Sequence, residues 1–341
     1  MITPDPMEMC SHGQQFASGN HYGVLSTYWT PVYPVLIGIL TFFTNSAIVS
    51  AIIISIVASC LIVPLTFCLV KQSFGQQVAI IAAVISVFFP HLINSMFEIG
   101  TENVYVLWII SALIVGWKGF KSNSAKDFFF VGALLGLAYL TRPEAFGYLP
   151  FFVFVIISKN LMQKKTLLGW NTSKPIFTLL IGFSLLASPY IFYLKQQTGS
   201  WTISGKIQVN TIVGDFEDYY ESTDGKISEE EKPGLKDFLK DFSLNLIKIQ
   251  KSFSFLVPVL LFLVIGLGLF ATAWDKERLA RETYLIVFCC LTILGYAASV
   301  VQDRYFLCFV ADIFWLDCFW TCKIRRFGFK NPFKTLAKIE F

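Results

Sequence analysis

The residues able to do chemistry are few, and their spacing suits proton transfer and anion binding. Asp5 and Glu8 stand three apart, so they share one face if their segment is helical. Glu98 and Glu102 flank a short polar stretch between two apolar runs. Arg142 and Glu144 occur in Thr-Arg-Pro-Glu at the end of another run, where Pro143 stops a helix. Lys206 follows the polar stretch 199–205, and Asp303 and Arg304 open a late apolar run. Carboxylates can take a proton from an attacking hydroxyl. Arginine or lysine can hold a phosphate. Each group also has a plainer reading. Glu98 and Glu102 can end helices at a water interface, Arg142 and Glu144 can be a local ion pair, and Asp5 and Glu8 can be a solvated loop. His12 and His21 lie in one loop and are a weak metal signal; no metal site is assigned. His91, after Pro90, suits a hydrogen bond at a helix end. Asp312 and Asp317 in the last run match no partner.

The elements that must carry these groups follow from composition. Hydrophobic residues make up 55% of the 341 positions and charged residues 15%. A soluble domain holds about 45–50% apolar and about 25% charged residues. Mean hydropathy is +0.61. These values exclude a disordered chain and a nucleic-acid binder, and they speak against a soluble enzyme. Most of the eight cysteines lie inside apolar runs and none forms a C-x-x-C pair, so no disulfide framework or zinc site is read.

A helical span needs about 20 apolar residues. Nine candidates occur: Ala47–Val70, Gln77–Met96, Glu102–Trp117, Phe128–Leu140, Tyr148–Ser158, Pro175–Leu194, Phe253–Ala273, Thr283–Val301 and Tyr305–Trp320. The fold expected is an all-α, polytopic transmembrane bundle of about nine spans with an extracytoplasmic loop region. Val32–Phe43 is apolar but short, with Pro31 and Pro34, and reads as a juxtamembrane helix. Most of the 27 Lys and Arg fall on alternate loops, which the positive-inside rule makes cytoplasmic. Asp5, Glu8, Glu98, Glu102, Arg142, Glu144, Lys206 and Arg304 then share the extracytoplasmic side. The layout is an acidic loop over 1–30, a juxtamembrane helix over 31–46, and six spans over 47–194. A loop over 195–252 with a surface-lying amphipathic helix follows, then three spans over 253–320 and a basic cytoplasmic tail over 321–341. The acidic start has no signal peptide before it, so an upstream helix is expected to precede residue 1. The residues alone imply an extracytoplasmic site for an anionic amphiphile.

Residues 132–149, GALLGLAYLTRPEAFGYL, resemble a signature of the GT-C membrane glycosyltransferases. These include the protein O-mannosyltransferases, the lipid A aminoarabinose transferases and bacterial dolichyl-phosphate-mannose-protein-mannosyltransferase-like proteins. TPDPMEMCSHGQQFASGN is similar to the family's first extracytoplasmic loop. WTPVYPVLIGIL is similar to the Pro-Tyr-Pro helix after it, and FFPHLINSMFEIGTENVYVL to the segment entering the next span. SPYIFYLKQQTGSWTISGK and DRYFL resemble later landmarks in the same order, so the likeness covers about residues 3 to 310.

The resemblance implies sugar transfer from a polyprenyl- or dolichyl-phosphate donor to a lipid, glycan or protein acceptor on the extracytoplasmic face. It implies Asp5 as general base, with Glu8 as second acid. Arg142, Lys206 and Arg304 are the available phosphate contacts, with Glu102 and Glu144 beside them. The expected route is inversion by direct displacement. No cofactor is certain, and a divalent metal is compatible. Membrane lipids are partners and nucleic acid is not. The setting implied is a bacterial or archaeal plasma membrane. The family has a helix before the acidic loop and further helices after the Arg-Tyr span, so the chain reads as truncated at both ends. A transporter or flippase of amphiphilic anions, or an inactive remnant, are the competing readings.

Overall fold

The computed structural model describes residues 4–162, 169–205, 242–249, 251 and 276–297. Every regular element among the described residues is a helix. Helix α1 spans Pro4–Ala17, followed by a 3-10 turn at His21–Val24. Then come α2 (Val32–Thr44), α3 (Ala47–Phe74), α4 (Gln76–Val87), α5 (Pro90–Ser95), α6 (Glu102–Ser122) and α7 (Ala125–Tyr139). A second 3-10 turn, Pro143–Tyr148, leads into α8 (Leu149–Met162), α9 (Trp170–Thr198) and α10 (Lys276–Ala297).

Local sequence explains where these helices stop. Asn45 and Asn123 close α2 and α6 in the left-handed region at φ 55° and 56°, and Gly199 closes α9 at φ 73°. Asparagine and glycine are the residues that enter this region at low cost. The Ser124 hydroxyl accepts from Asp127 N–H at 3.3 Å and starts α7.

Four helical stretches among the described residues are long and apolar enough to cross a membrane: Ala47–Phe74, Glu102–Ser122, Pro143–Leu161 and Thr172–Thr198. Helix α3, at 28 residues, is about 42 Å long against a hydrocarbon core of about 30 Å. The expected span over Gln77–Met96 is divided. Helix α4 ends at Val87, and α5 begins at Pro90, a residue that suits the first turn of a new helix and not the interior of one. The expected span at Phe128–Leu140 is the 15-residue α7. Phe253–Ala273 and Tyr305–Trp320 lie outside the described residues. So do most of the 195–252 loop and the basic tail, though residues 242–249 of the expected amphipathic helix are helical.

The central pairing is α7 against α9, with α6 on the other side of α7 and α3 against α6. Gly132 and Gly182 make this pairing possible. A Cβ on Gly132 would come inside 3.0 Å of the Leu179 carbonyl oxygen, and one on Gly182 inside 3.0 Å of the Phe129 carbonyl. The two backbones therefore touch, as small residues allow in lipid. The main core gathers Ile62, Ile109, Leu113, Leu135, Tyr139 and Phe183. Val57 and Leu61 of α3 and Phe177, Ile181 and Leu185 of α9 stay exposed at helical spacing, as lipid-facing positions do.

Helix α1 is not a free arm. Its Met9 and Cys10 are buried in a second core with Trp29, Tyr33, Ile37, Ala51 and Val104. Gly13 and Gly38 let α1 and α2 approach closely, since a Cβ on either would collide with Ile37 or Phe16.

Candidate active site

The site is built where α7 ends. Pro143 disfavours helical backbone in the residue before it, and Arg142 accordingly sits extended at φ −151°, ψ 127°. Its amide still donates to Ala138 O at 2.7 Å, which ties the turn to the helix. The side chain, only 9% exposed, meets two carboxylates. Arg142 Nη1 donates to Glu102 Oε1 at 3.2 Å, and Nη2 donates to Glu144 Oε1 at 3.3 Å. Its guanidinium carbon lies 5.7 Å from the centre of the Tyr105 ring. Glu102 opens α6, where the helix N-terminus favours negative charge. The three groups together carry one net negative charge. A buried guanidinium is tolerable only with such partners.

A strap of chain over residues 25–32 holds α1 against this end of the bundle. The Thr30 hydroxyl donates to Thr141 O at 2.6 Å, and Val32 N–H donates to Leu140 O at 3.0 Å. From α9, Tyr190 O–H donates to Ser26 O at 2.9 Å and Tyr193 O–H to Leu25 O at 3.0 Å. Gly205 N–H donates to Thr27 O at 3.1 Å. The same strap carries Trp29, whose Nε1–H donates to Glu8 Oε2 at 2.8 Å. The turn bearing Arg142 and the helix bearing Glu8 are thus linked through one short segment.

Asp5 lies in the first turn of α1 and is exposed. Cys10, one turn beyond Pro6, is buried, and burial pushes its thiol up, away from the reactive thiolate. Tyr33 runs beneath α1. Burial raises its phenol above the usual range, and Ser55, Cys10, Glu102 and Gly100 are the groups that act on it. It therefore stands between the underside of α1 and the first turn of α6.

The structure brings Glu102, Arg142 and Glu144 together as one cluster. It holds Glu8 through Trp29 and leaves Asp5 at the surface. Glu98 is exposed, and its carbonyl accepts from the Ser55 hydroxyl at 2.8 Å. Lys206, Asp303, Arg304, Asp312 and Asp317 lie outside the described residues. Among the described residues, no three His, Cys, Asp or Glu side chains gather as a metal-ion set. Trp29, Thr30, Tyr33, Tyr105, Tyr190 and Tyr193 were not expected at the site. Trp29, Thr30 and Tyr33 lie in the Trp-Thr-Pro-Val-Tyr-Pro stretch, and that dense aromatic and proline run was the available signal.

A helical bundle with apolar membrane-length helices and an acidic, arginine-centred cluster at one end defines a polytopic membrane protein with a polar terminal site. Residues 29–193 match the family model of dolichyl-phosphate-mannose-protein mannosyltransferase, in agreement with a GT-C-like glycosyltransferase. The match begins at Trp29, so it takes in Glu102, Arg142 and Glu144 and stops short of Asp5 and Glu8. It supports a membrane glycosyltransferase in general. No curated protein and no solved structure matches the chain.

Proposed function

We propose that the chain moves a sugar from a polyprenyl- or dolichyl-phosphate donor to an acceptor hydroxyl at the extracytoplasmic end of the bundle. Asp5 acts as general base, Glu8 as the second acid, and Arg142 as the donor-phosphate contact, with Lys206 and Arg304 as further cations. The observation that carries this reading is the nearly buried Arg142 guanidinium, paired from two different elements beside the strap that holds α1. The lipid tail of the donor stays among the apolar helices while its phosphate stands at their end. As the sugar leaves, negative charge grows on that phosphate, and a fixed guanidinium stabilises it where water is scarce. An exposed carboxylate on α1 is free to take the proton of the incoming hydroxyl.

Two of the five N–H donors of Arg142 already serve carboxylates, so a phosphate competes with those carboxylates for the guanidinium. Glu144, 37% exposed, is the one that gives way, while Glu102, 18% exposed, stays. This exchange is testable with polyprenyl monophosphate binding to purified protein in lipid nanodiscs. Glu144→Gln removes the competitor and should tighten binding about fivefold, the scale of one half-exposed ion pair. Binding that weakens or stays unchanged would remove Arg142 from the phosphate site.

A further inference from the structure

Helix α10 carries an arginine on the stripe that faces the bundle. Arg281, Leu285, Phe288 and Thr292 recur at helical spacing, and the last three are buried. The Tyr284 hydroxyl donates to Leu113 O at 3.0 Å and its ring centre lies 5.3 Å from that of Trp117, so this end of α10 is docked on α6. Arg281 is half-buried, and its guanidinium carbon stands 4.7 Å from the centre of the Phe74 ring on α3. Its Nε is buried and makes no hydrogen bond. A buried donor without a partner is unfavourable and calls for an explanation. Among the described residues, no carboxylate pairs with this guanidinium.

Other charges nearby are already matched. This is the end of the bundle away from Arg142, since α6 begins at Glu102 beside Arg142 and ends at Ser122. There Lys118 pairs with Asp127 at 3.5 Å, and the buried Lys159 amine donates to the Phe120 and Lys121 carbonyls that end α6. Glu282 is buried, and as the next residue it stands about 100° round the helix from Arg281. Lys71 is exposed on α3, with its amine 5.5 Å from the centre of the Phe67 ring. It lies three residues before Phe74, and residues three apart on a helix are neighbours. Phe74 therefore has Lys71 beside it on α3 and Arg281 over it from α10. Among the described residues, no acid is paired with either cation.

We propose that Arg281 and Lys71 hold the phosphate of an anionic phospholipid at the end of the bundle away from Arg142. The guanidinium offers a fork of N–H donors to the phosphate oxygens, and the lysine adds a mobile point charge. Lipid is the source of the phosphate because the outer face of the same helix, at Val57 and Leu61, is apolar and exposed. The acyl chains follow that face while the headgroup sits at its end, as headgroups do in basic pockets between membrane helices. Neither residue takes part in the proposed sugar transfer.

The test reads the guanidinium itself and leaves it unsubstituted. Full-length protein is placed in nanodiscs of phosphatidylcholine alone, or of phosphatidylcholine and phosphatidylglycerol in equal parts. Both are treated with phenylglyoxal, and modification of Arg281 is measured by mass spectrometry of peptic peptides. Arg281 should react about fivefold more slowly with phosphatidylglycerol present, the effect of one cation held at a headgroup. Lys71→Gln, an exposed substitution, should bring that protection to within about twofold of phosphatidylcholine alone. Lys118→Gln removes the same charge from the same end, but from a lysine paired with Asp127, and should keep the protection. Equal reactivity in the two nanodiscs overturns the assignment. Protection that survives in Lys71→Gln, or falls equally in Lys118→Gln, reports a diffuse surface charge and also overturns it. Equal protection by inorganic phosphate in phosphatidylcholine nanodiscs would make this a site for a soluble anion and overturn the lipid assignment.

Discussion

Substituting Arg142 should unsettle the end of α7 far more than substituting either of its partners. The guanidinium is 9% exposed and bonded at 3.2 and 3.3 Å to two carboxylates. Arg142→Met leaves those carboxylates facing each other across the gap, with Glu102 mostly out of water. Breaking one side of a buried pair costs about 3–5 kcal/mol. Glu102→Gln leaves the arginine one partner and a neutral acceptor, and should cost about 1.5–3 kcal/mol, the range for a hydrogen bond to a charged group. Glu144 is 37% exposed, so Glu144→Gln should cost about 0–1 kcal/mol. Because the losses in Arg142→Met come from stranded acids, adding Glu144→Gln to it should recover part of them, which additivity would forbid. The assay is the fraction of protein remaining monodisperse after heating in detergent, with unfolding in graded denaturant as a second reading. If Arg142→Met stays within about 0.5 kcal/mol of the unsubstituted protein, or Glu144→Gln costs as much as Glu102→Gln, the cluster does not hold this turn in the way described.

Gly132→Val drives a branched side chain into the Leu179 carbonyl, so α7 and α9 must part, and overpacking of this kind costs about 1–3 kcal/mol; the same heating assay should show a clear loss, while Gly147→Ala, whose added Cβ meets nothing within 4 Å, should show none. Cys10 is buried with its thiol pushed up, so a maleimide should modify it about tenfold more slowly in the folded protein than after denaturation. Equal rates in the two states would mean that α1 does not dock on α2.

The long apolar runs were legible because composition alone sets them. Ala47–Val70, Glu102–Trp117 and Pro175–Leu194 all fall inside helices of the structure. The break after Val87 was harder to read, because the apolar run continues through Phe88 and Phe89 and only Pro90 marks the new start. At the site, the Arg142–Glu144 pair was visible from its spacing of two across a proline. The Arg142–Glu102 contact joins positions 40 apart, and Trp29–Glu8 joins positions 21 apart. Neither follows from any local period, since both arise only when α6, α7 and the strap meet at one end of the bundle. The tyrosines of α9 were hidden for a similar reason. Tyr190 and Tyr193 read as ordinary members of an apolar helix until their hydroxyls are seen to end on the strap carbonyls.

The central claim is that α1 supplies the base for sugar transfer from a lipid phosphate. The most direct measurement is release of radiolabelled sugar from polyprenyl-phosphate-mannose in sealed vesicles, comparing the unsubstituted chain with Asp5→Asn. Loss of one general base lowers turnover by about 10²- to 10⁴-fold. The account predicts a loss of that order in turnover with donor affinity unchanged. Full transfer by Asp5→Asn would contradict it.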